Sequence, residues 1–184
     1  HHFSHANIID FAGRPFVNVD HINYSMVEKW NSVVNEDDTV YVLGDFAMGH
    51  REKTLVLADQ LNGYKKLVPG NHDNCWKGLS VKMVEKWTPY YEGVGFEIMP
   101  GQMDHTLPDG TVVTLCHFPY SFTTRYDDKY SGNRPIDEGK WLLHGHTHEK
   151  EIRTGERQIH IGVDAWDFTP VSEEWIMEII DESN

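Results

Sequence analysis

Thr39-Val40-Tyr41-Val42-Leu43, followed by Gly44-Asp45, is the stretch on which the fold of this chain turns. Its first five residues are β-branched, aromatic or aliphatic, which reads as a short strand, and Gly-Asp ends it with residues that favour turns. The same arrangement recurs downstream. Leu67-Val68 closes a strand before Pro69-Gly70-Asn71-His72-Asp73, and Thr111 to Cys116 runs as a strand into His117. Lys140 to Leu143 leads in the same way into His144-Gly145-His146-Thr147-His148. Stretches at helical spacing lie between. Asp20 is the expected cap of a helix carrying Ile22, Met26, Val27, Trp30 and Val33. Arg51 to Leu61 reads as a second helix with Gly63 just past its end, and Val81 to Trp87 as a third. Ser172 is placed to cap a last helix with Trp175, Ile176, Ile179 and Ile180. Gly93 to Met99 and Gln158 to Val163 complete the expected strands, with a turn at Pro108-Asp109-Gly110. Alternating β and α, then more β, predicts an α/β fold in which two packed sheets are flanked by helices, as one domain over residues 1–184. The polar segment from Ser121 to Lys140 lacks periodicity, and so long a loop in a compact domain is expected to be functional or mobile.

Composition narrows the classes of function. No apolar run approaches the roughly 20 residues of a membrane span, so no membrane partner is expected. Two cysteines, Cys75 and Cys116, do not make a disulfide scaffold, and a reducing, cytoplasmic location is the expectation. The formal net charge of −13 repels phosphate backbones at long range, which leaves nucleic acid only as a possible substrate. Bound cations can reverse that sign locally. Histidine is abundant, at 12 residues.

The histidines cluster where strands run out. His2-Phe3-Ser4-His5, Gly44-Asp45, Gly70-Asn71-His72-Asp73, His117 and Gly145-His146-Thr147-His148 all occupy such places. Singly, each has an ordinary reading: Gly-Asp and Gly-Asn-His-Asp are good turn sequences, and alternating histidines can line one face of a strand. Together they offer imidazole, carboxylate and amide oxygen, a donor set suited to Mn, Fe, Zn or Ni rather than to Ca or a thiolate zinc site. Two such ions roughly 3.5–4 Å apart need a shared ligand, and the Asp45 carboxylate is the natural bridge. A hydroxide shared by the cations is then the expected nucleophile. Cys116, beside His117, reads as a small buried hydrophobe.

The order of these motifs resembles the calcineurin-like metallophosphoesterases, whose series runs Asp-x-His, Gly-Asp, Gly-Asn-His-Asp/Glu, a lone His and Gly-x-His. The wording of residues 2–9, Arg14-Pro15-Phe16 and Gly162-Val163-Asp164-Ala165-Trp166 is similar to the small single-domain bacterial and phage members. The resemblance implies a four-layer sandwich, two mixed sheets between helices. It implies that His2 and His148 bind a first metal, that Asn71, His117 and His146 bind a second, and that Asp45 bridges both. His72 would bind no metal and would protonate the leaving oxygen of a small phosphorylated substrate or stabilise its charge. Manganese is the first expectation for the ion. The family pattern also places an Asp immediately before His1. The Gly-Asp-x-x-Asp pattern of protein phosphatases is absent after Gly44, which directs the expectation to a phosphodiesterase or a broad small-substrate phosphatase, diesters first. His5 and Arg14 are candidate phosphate contacts, as are Arg125 and Arg134 in the long loop, where Tyr126 and Tyr130 could stack on a base. Asp164 is a candidate to orient a ligand histidine. Two alternatives stay open. One is a catalytically impaired member that binds a metal or a partner. The other is a dinuclear hydrolase of another class, although the His-x-His-x-Asp-His cluster of the metallo-β-lactamase fold is missing.

Overall fold

A computed structural model describes residues 1–120 and 129–183. Strands β1 (Thr39–Val42), β2 (Tyr64–Leu67) and β3 (Phe96–Ile98) make an all-parallel sheet in that order. The second sheet holds β4 (Gln102–Thr106), β5 (Val112–Cys116), β6 (Trp141–His144), β7 (Arg153–Gly155) and β8 (Gln158–His160). Its order is β4-β5-β6-β8-β7, with β5, β6 and β8 parallel and an antiparallel strand at each edge. The helices are α1 (Ile8–Phe11), α2 (Val19–Asn31), α3 (Arg51–Leu55), α4 (Val81–Gly93) and α5 (Glu173–Asp181). The chain is therefore α/β with two open sheets, as the alternation of β and α periods predicts. Among the described residues no helix is long and apolar enough to cross a membrane.

The period of two along the strands assigns the core. Val42 and Leu67 pack with Ile22, Met26 and Trp30 of α2 and with Tyr91 of α4. Their neighbours Leu43 and Val68 join Leu115, Leu143 and Ile159 of the second sheet and Ile176 and Ile180 of α5. Leu142, on the opposite face from Leu143, packs instead with Cys116, Phe118 and Trp76. Apolar residues on both strand faces are what buried parallel strands require.

Several local expectations need correction. Asn18, not Asp20, caps α2: its backbone is extended and its side chain accepts the His21 N–H at 2.9 Å, while Asp20 sits in the first turn. Val33 lies beyond the end of α2 and is 51% exposed. The second expected helix is α3 followed by a tighter 3-10 segment, Val56–Gln60. The third runs six residues past Trp87, through Pro89, because its continuation buries Tyr91 completely. Gly93 consequently belongs to α4, and the strand begins at Phe96. Strands β4 and β7 were not legible. β4 reads Gln-Met-Asp-His-Thr, a polar edge strand held by its pairing with β5.

Candidate metal centre

Loops leaving the carboxyl ends of β1, β2, β5 and β6 converge, as parallel strands of two facing sheets allow. They carry Asp45, Asn71 with His72, His117, and His146 with His148, and the N-terminal turn brings His2 alongside. Ligand atoms of Asp45, His117 and His146 all lie within 4.8 Å of one another. Asp45 Oδ2 is 3.2 Å from His2 Nε2 and 3.3 Å from His117 Nε2. Asn71 Oδ1 is 3.1 Å, and His146 Nδ1 3.2 Å, from the same His117 nitrogen. The His148 ring stands edge-on to His2 with centroids 4.6 Å apart. All six expected ligands thus share one cluster.

The backbone is bent to make it. His2, Asp45, His146 and His148 have φ of 59°, 53°, 71° and 54°, four of the seven left-handed non-glycine residues described. Such conformations cost free energy and gather at functional sites. Gly44 and Gly70 permit the close approach. A Cβ at Gly44 (φ +78°) would strike the backbone of Gly70, and one at Gly70 would press on the Asp45 carboxylate and the His117 ring.

Asp73 holds the two loops together. Fully buried, it accepts the N–H groups of Asp45 (2.7 Å), Phe46 (3.1 Å) and Gly70 (2.9 Å) and the Tyr91 hydroxyl (3.3 Å). Its role was not read from the sequence, although its place in Gly-Asn-His-Asp was a signal. The other oxygen of Asp45, Oδ1, accepts the His72 N–H at 2.8 Å, and Arg51 donates twice to the His72 carbonyl at 3.2 and 3.0 Å. His72 is thereby fixed from both sides of its backbone, with its ring 5.4 Å from that of His2.

The tautomers show what the cluster can hold. His117 Nδ1 lies 2.8 Å from the Leu43 carbonyl, an acceptor only, so Nδ1 carries the hydrogen and Nε2 of the neutral ring a lone pair. That lone pair faces the Asp45 and Asn71 oxygens and His146 Nδ1. Electron pairs converging at such distances need a positive centre between them, either a proton or a cation. Burial pushes the His117 pKa down, but the Asp45 carboxylate outweighs this and raises it. Asp45 itself, pushed up by burial, is pulled well below the ordinary carboxylate range by His117 and His2. His148 donates from Nδ1 to Asp164 at 3.0 Å, which leaves its Nε2 as the ligating atom. The residues therefore fit divalent cations in donor type and in tautomer.

Arg14 is a correction. Expected at the phosphate, it is buried, and its fork is fully engaged: Nε and Nη2 donate to the two Asp164 oxygens at 2.8 and 2.9 Å, and Nη1 donates to the His1 carbonyl at 2.8 Å. It braces the carboxylate behind His148 and the backbone ahead of His2. His5, half-buried, places Nδ1 2.9 Å from His2 Nδ1 and so stands beside the cluster. Arg134 follows the Ser131–Asn133 turn, and Tyr130 in the same segment sets its ring 5.8 Å from that of His146. Arg125 and Tyr126 lie outside the described residues.

Similar proteins were found in phages and prokaryotes. The "Gene 66 protein" of Mycobacterium phage D29 is 34% identical over 94% of this chain and 89% of its own length. That of Mycobacterium phage L5 is 31% identical over 90% and 84%. The chain belongs to this gene 66 family. "Uncharacterized protein MJ1445" of Methanocaldococcus jannaschii is 29% identical over 98% of this chain and 88% of its own. A crystal structure titled as the protein of unknown function AQ665 from Aquifex aeolicus superimposes with a TM-score of 0.69 at 30% identity, covering 97% of this chain and 94% of that one. No protein-family model matches the chain.

This gene 66 family chain also buries histidines that are not ligand candidates. His144, on β6, shares hydrogen bonds with the Gly145 carbonyl (2.9 Å) and the Thr154 hydroxyl (2.6 Å), and its ring lies tilted by 33° to that of His160 with centroids 5.4 Å apart. Burial lowers the pKa of His144 to about 3 and that of His160 to about 4. Both are neutral when folded and take up protons when unfolded, near pH 6.5. Their contribution to stability is complete above pH 6.5 and is lost as pH falls towards 4. The expected loss is about 2 kcal/mol per histidine between pH 6.5 and 5. Urea titrations of chelated protein at pH 7 and pH 5 measure it, and equal stabilities would contradict the neutral assignment.

Proposed function

We propose that this protein is a metal-dependent phosphoesterase of the calcineurin-like type, with a dinuclear centre acting on small phosphorylated substrates, phosphodiesters first. We include in the reading that family's four-layer sandwich. The observation that carries it is the convergence of His117 Nε2 with the oxygens of Asp45 and Asn71 and with His146 Nδ1, a donor set that a cation in place of a proton would satisfy. Asn71, His117 and His146 would hold one ion, His2 and His148 the other, and Asp45, whose Oδ2 already lies near both His2 and His117, would serve the two. When bound, the ions supply Lewis-acid stabilisation of phosphoryl oxygens and a nucleophile available near neutral pH.

The chain's own groups do the rest. Asp73 and the two glycines keep the Asp45 and Asn71 loops in register, and Asp164 fixes the His148 tautomer. His72 ligates nothing. Its ring stands at the cluster's edge with a nitrogen to give a proton to the leaving oxygen. The chain's negative charge of −13 repels free phosphate esters until cations offset it locally, so catalysis and substrate capture depend on the same ions.

Purified protein should hydrolyse bis-p-nitrophenyl phosphate when given Mn²⁺ and stop when a chelator is added, with two ions bound per chain. Because neutral imidazoles do the binding, affinity should fall by roughly tenfold or more from pH 7.5 to 5.5 as protons compete at His117. Ions bound without turnover would favour the impaired-member alternative. Failure to bind Mn²⁺, Fe²⁺, Zn²⁺ and Ni²⁺ alike would sink the reading.

A further inference from the structure

We infer that His5 donates a hydrogen bond from Nε2 to a phosphoryl oxygen of the substrate, and that a cation at His2 is what turns this nitrogen into a donor. The inference rests on the metal-dependent reading above and adds a residue to the same site. His5 and His2 meet head to head. Their Nδ1 atoms are 2.9 Å apart, their ring centroids 5.1 Å apart, and 25° separates the ring planes. Centroids so far apart for nitrogens so close place the contact at the ring edges, where an imidazole holds its N–H and its lone pair. This is an N–H···N hydrogen bond, in which one ring donates and the other accepts.

The turn between the two residues is built to hold this contact. The His5 N–H bonds to the His2 carbonyl at 3.2 Å, and Ser4 between them takes φ 60°. Asn23 of α2 clamps Ser4 from both ends: its Oδ1 accepts the Ser4 N–H at 2.8 Å, and its Nδ2 donates to the Ser4 hydroxyl at 2.9 Å. A side chain placed by so many fixed bonds is preorganised for its partner. Among the described residues no hydrogen bond occupies His5 Nε2, and the ring is half-buried beside the cluster. The His72 ring borders His2 as well, with centroids 5.4 Å apart, so His5 and the proposed general acid stand around the same metal ligand.

The tautomers follow from the neighbours. A neutral imidazole carries one hydrogen, on one of its two nitrogens. Without a cation, His2 Nε2 faces Asp45 Oδ2 at 3.2 Å, an atom that only accepts, so the His2 hydrogen sits on Nε2. His2 Nδ1 then accepts, His5 Nδ1 donates, and His5 Nε2 is left with a lone pair that repels a phosphoryl oxygen. With its Nε2 lone pair given to a cation, His2 carries its hydrogen on Nδ1 instead. His5 Nδ1 now accepts, so the His5 hydrogen is on Nε2. Both states hold two hydrogens and the same charge. The hydrogen between the two Nδ1 atoms passes from His5 to His2, one leaves His2 Nε2 for water, and one arrives from water at His5 Nε2. The site therefore offers this donor to a phosphate only when the ion that must polarise it is already in place.

Two-bond proton–nitrogen NMR spectra of the imidazoles at pH 8, where an ordinary histidine is neutral, read both tautomers without any turnover. They are recorded on chelated protein and after addition of the diamagnetic ion Zn²⁺. His5 should carry its hydrogen on Nδ1 without the ion and on Nε2 with it, and His2 should do the reverse. His2 nitrogens indifferent to Zn²⁺ would overturn the metal reading and this inference with it. A ligated His2 beside a His5 that keeps its Nδ1 hydrogen would overturn the inference alone. In a second arm, His5→Ala should lower kcat/KM about 10²-fold with both ions still bound, as expected for one lost donor to a charged oxygen. The loss should be the same for p-nitrophenolate and alkoxide leaving groups, because the bond goes to an oxygen that does not leave. His5→Gln should recover most of the rate, since its amide oxygen can accept from His2 Nδ1 and its NH₂ can donate outward. Equal losses in the two variants would reduce His5 to a spacer and overturn the donor role.

Discussion

Asp45→Asn is expected to remove one of two bound cations and to lower turnover by about 10³-fold or more. Asp45 Oδ2 lies 3.2 Å from His2 Nε2 and 3.3 Å from His117 Nε2, so a single atom serves both halves of the cluster. An amide keeps the shape but cannot serve both. If its oxygen stays at Oδ1 to accept the His72 N–H, its NH₂ points at the two imidazoles and meets any incoming cation with a donor. The fold should survive, because the Asp45 backbone N–H is held by Asp73 rather than by its own side chain. Calorimetric titration with Mn²⁺ and the Mn²⁺-induced rise in Tm measure the effect, since a ligand that binds only the native state stabilises by mass action. Chelated wild type and variant should melt within a few degrees of one another, and only the wild type should gain the full shift. Two tight sites retained in the variant would show that Asp45 is not shared.

His72→Ala separates binding from chemistry. Both ions should stay, because the residue's contribution to the cluster is its backbone N–H on Asp45 Oδ1, which alanine keeps. Arg51 holds the carbonyl of position 72 whatever the side chain. Turnover of alkoxide-leaving diesters should fall by about 10²–10⁴-fold, the usual worth of a positioned general acid. With p-nitrophenolate as leaving group the loss should shrink, because a weakly basic oxygen needs little protonation. Equal losses for both leaving groups would remove the general-acid role, and loss of metal would show that the imidazole is a ligand after all.

The sequence by itself determined the residue types and their places in the chain. Strand runs that end in Gly-Asp, Gly-Asn-His-Asp, His and Gly-His-Thr-His put chemistry at β-strand termini, and this can be read locally because strand and turn preferences act over a few residues. The alternation of β with helical spacing was likewise enough for the α/β class, for Ile22, Met26, Val27 and Trp30 on the buried face of α2 and for Ile176 and Ile180 of α5, but not for Val33 or Trp175, which are exposed. What tertiary structure decided involves partners far apart in the chain. The Arg14–Asp164 pair spans 150 residues, so no local signal told a phosphate fork from a buried brace. Asp73 became a clamp only when the β1 and β2 loops met, and α4 passed through Pro89 because Tyr91 had a buried site to fill. The polar strand β4 exists through its ladder with β5, and Val33 is exposed because α2 ends at Asn31 before reaching it. Propensity and spacing act between neighbours in sequence, whereas burial, tautomer and ion pairing are set by whichever residues the fold makes neighbours in space.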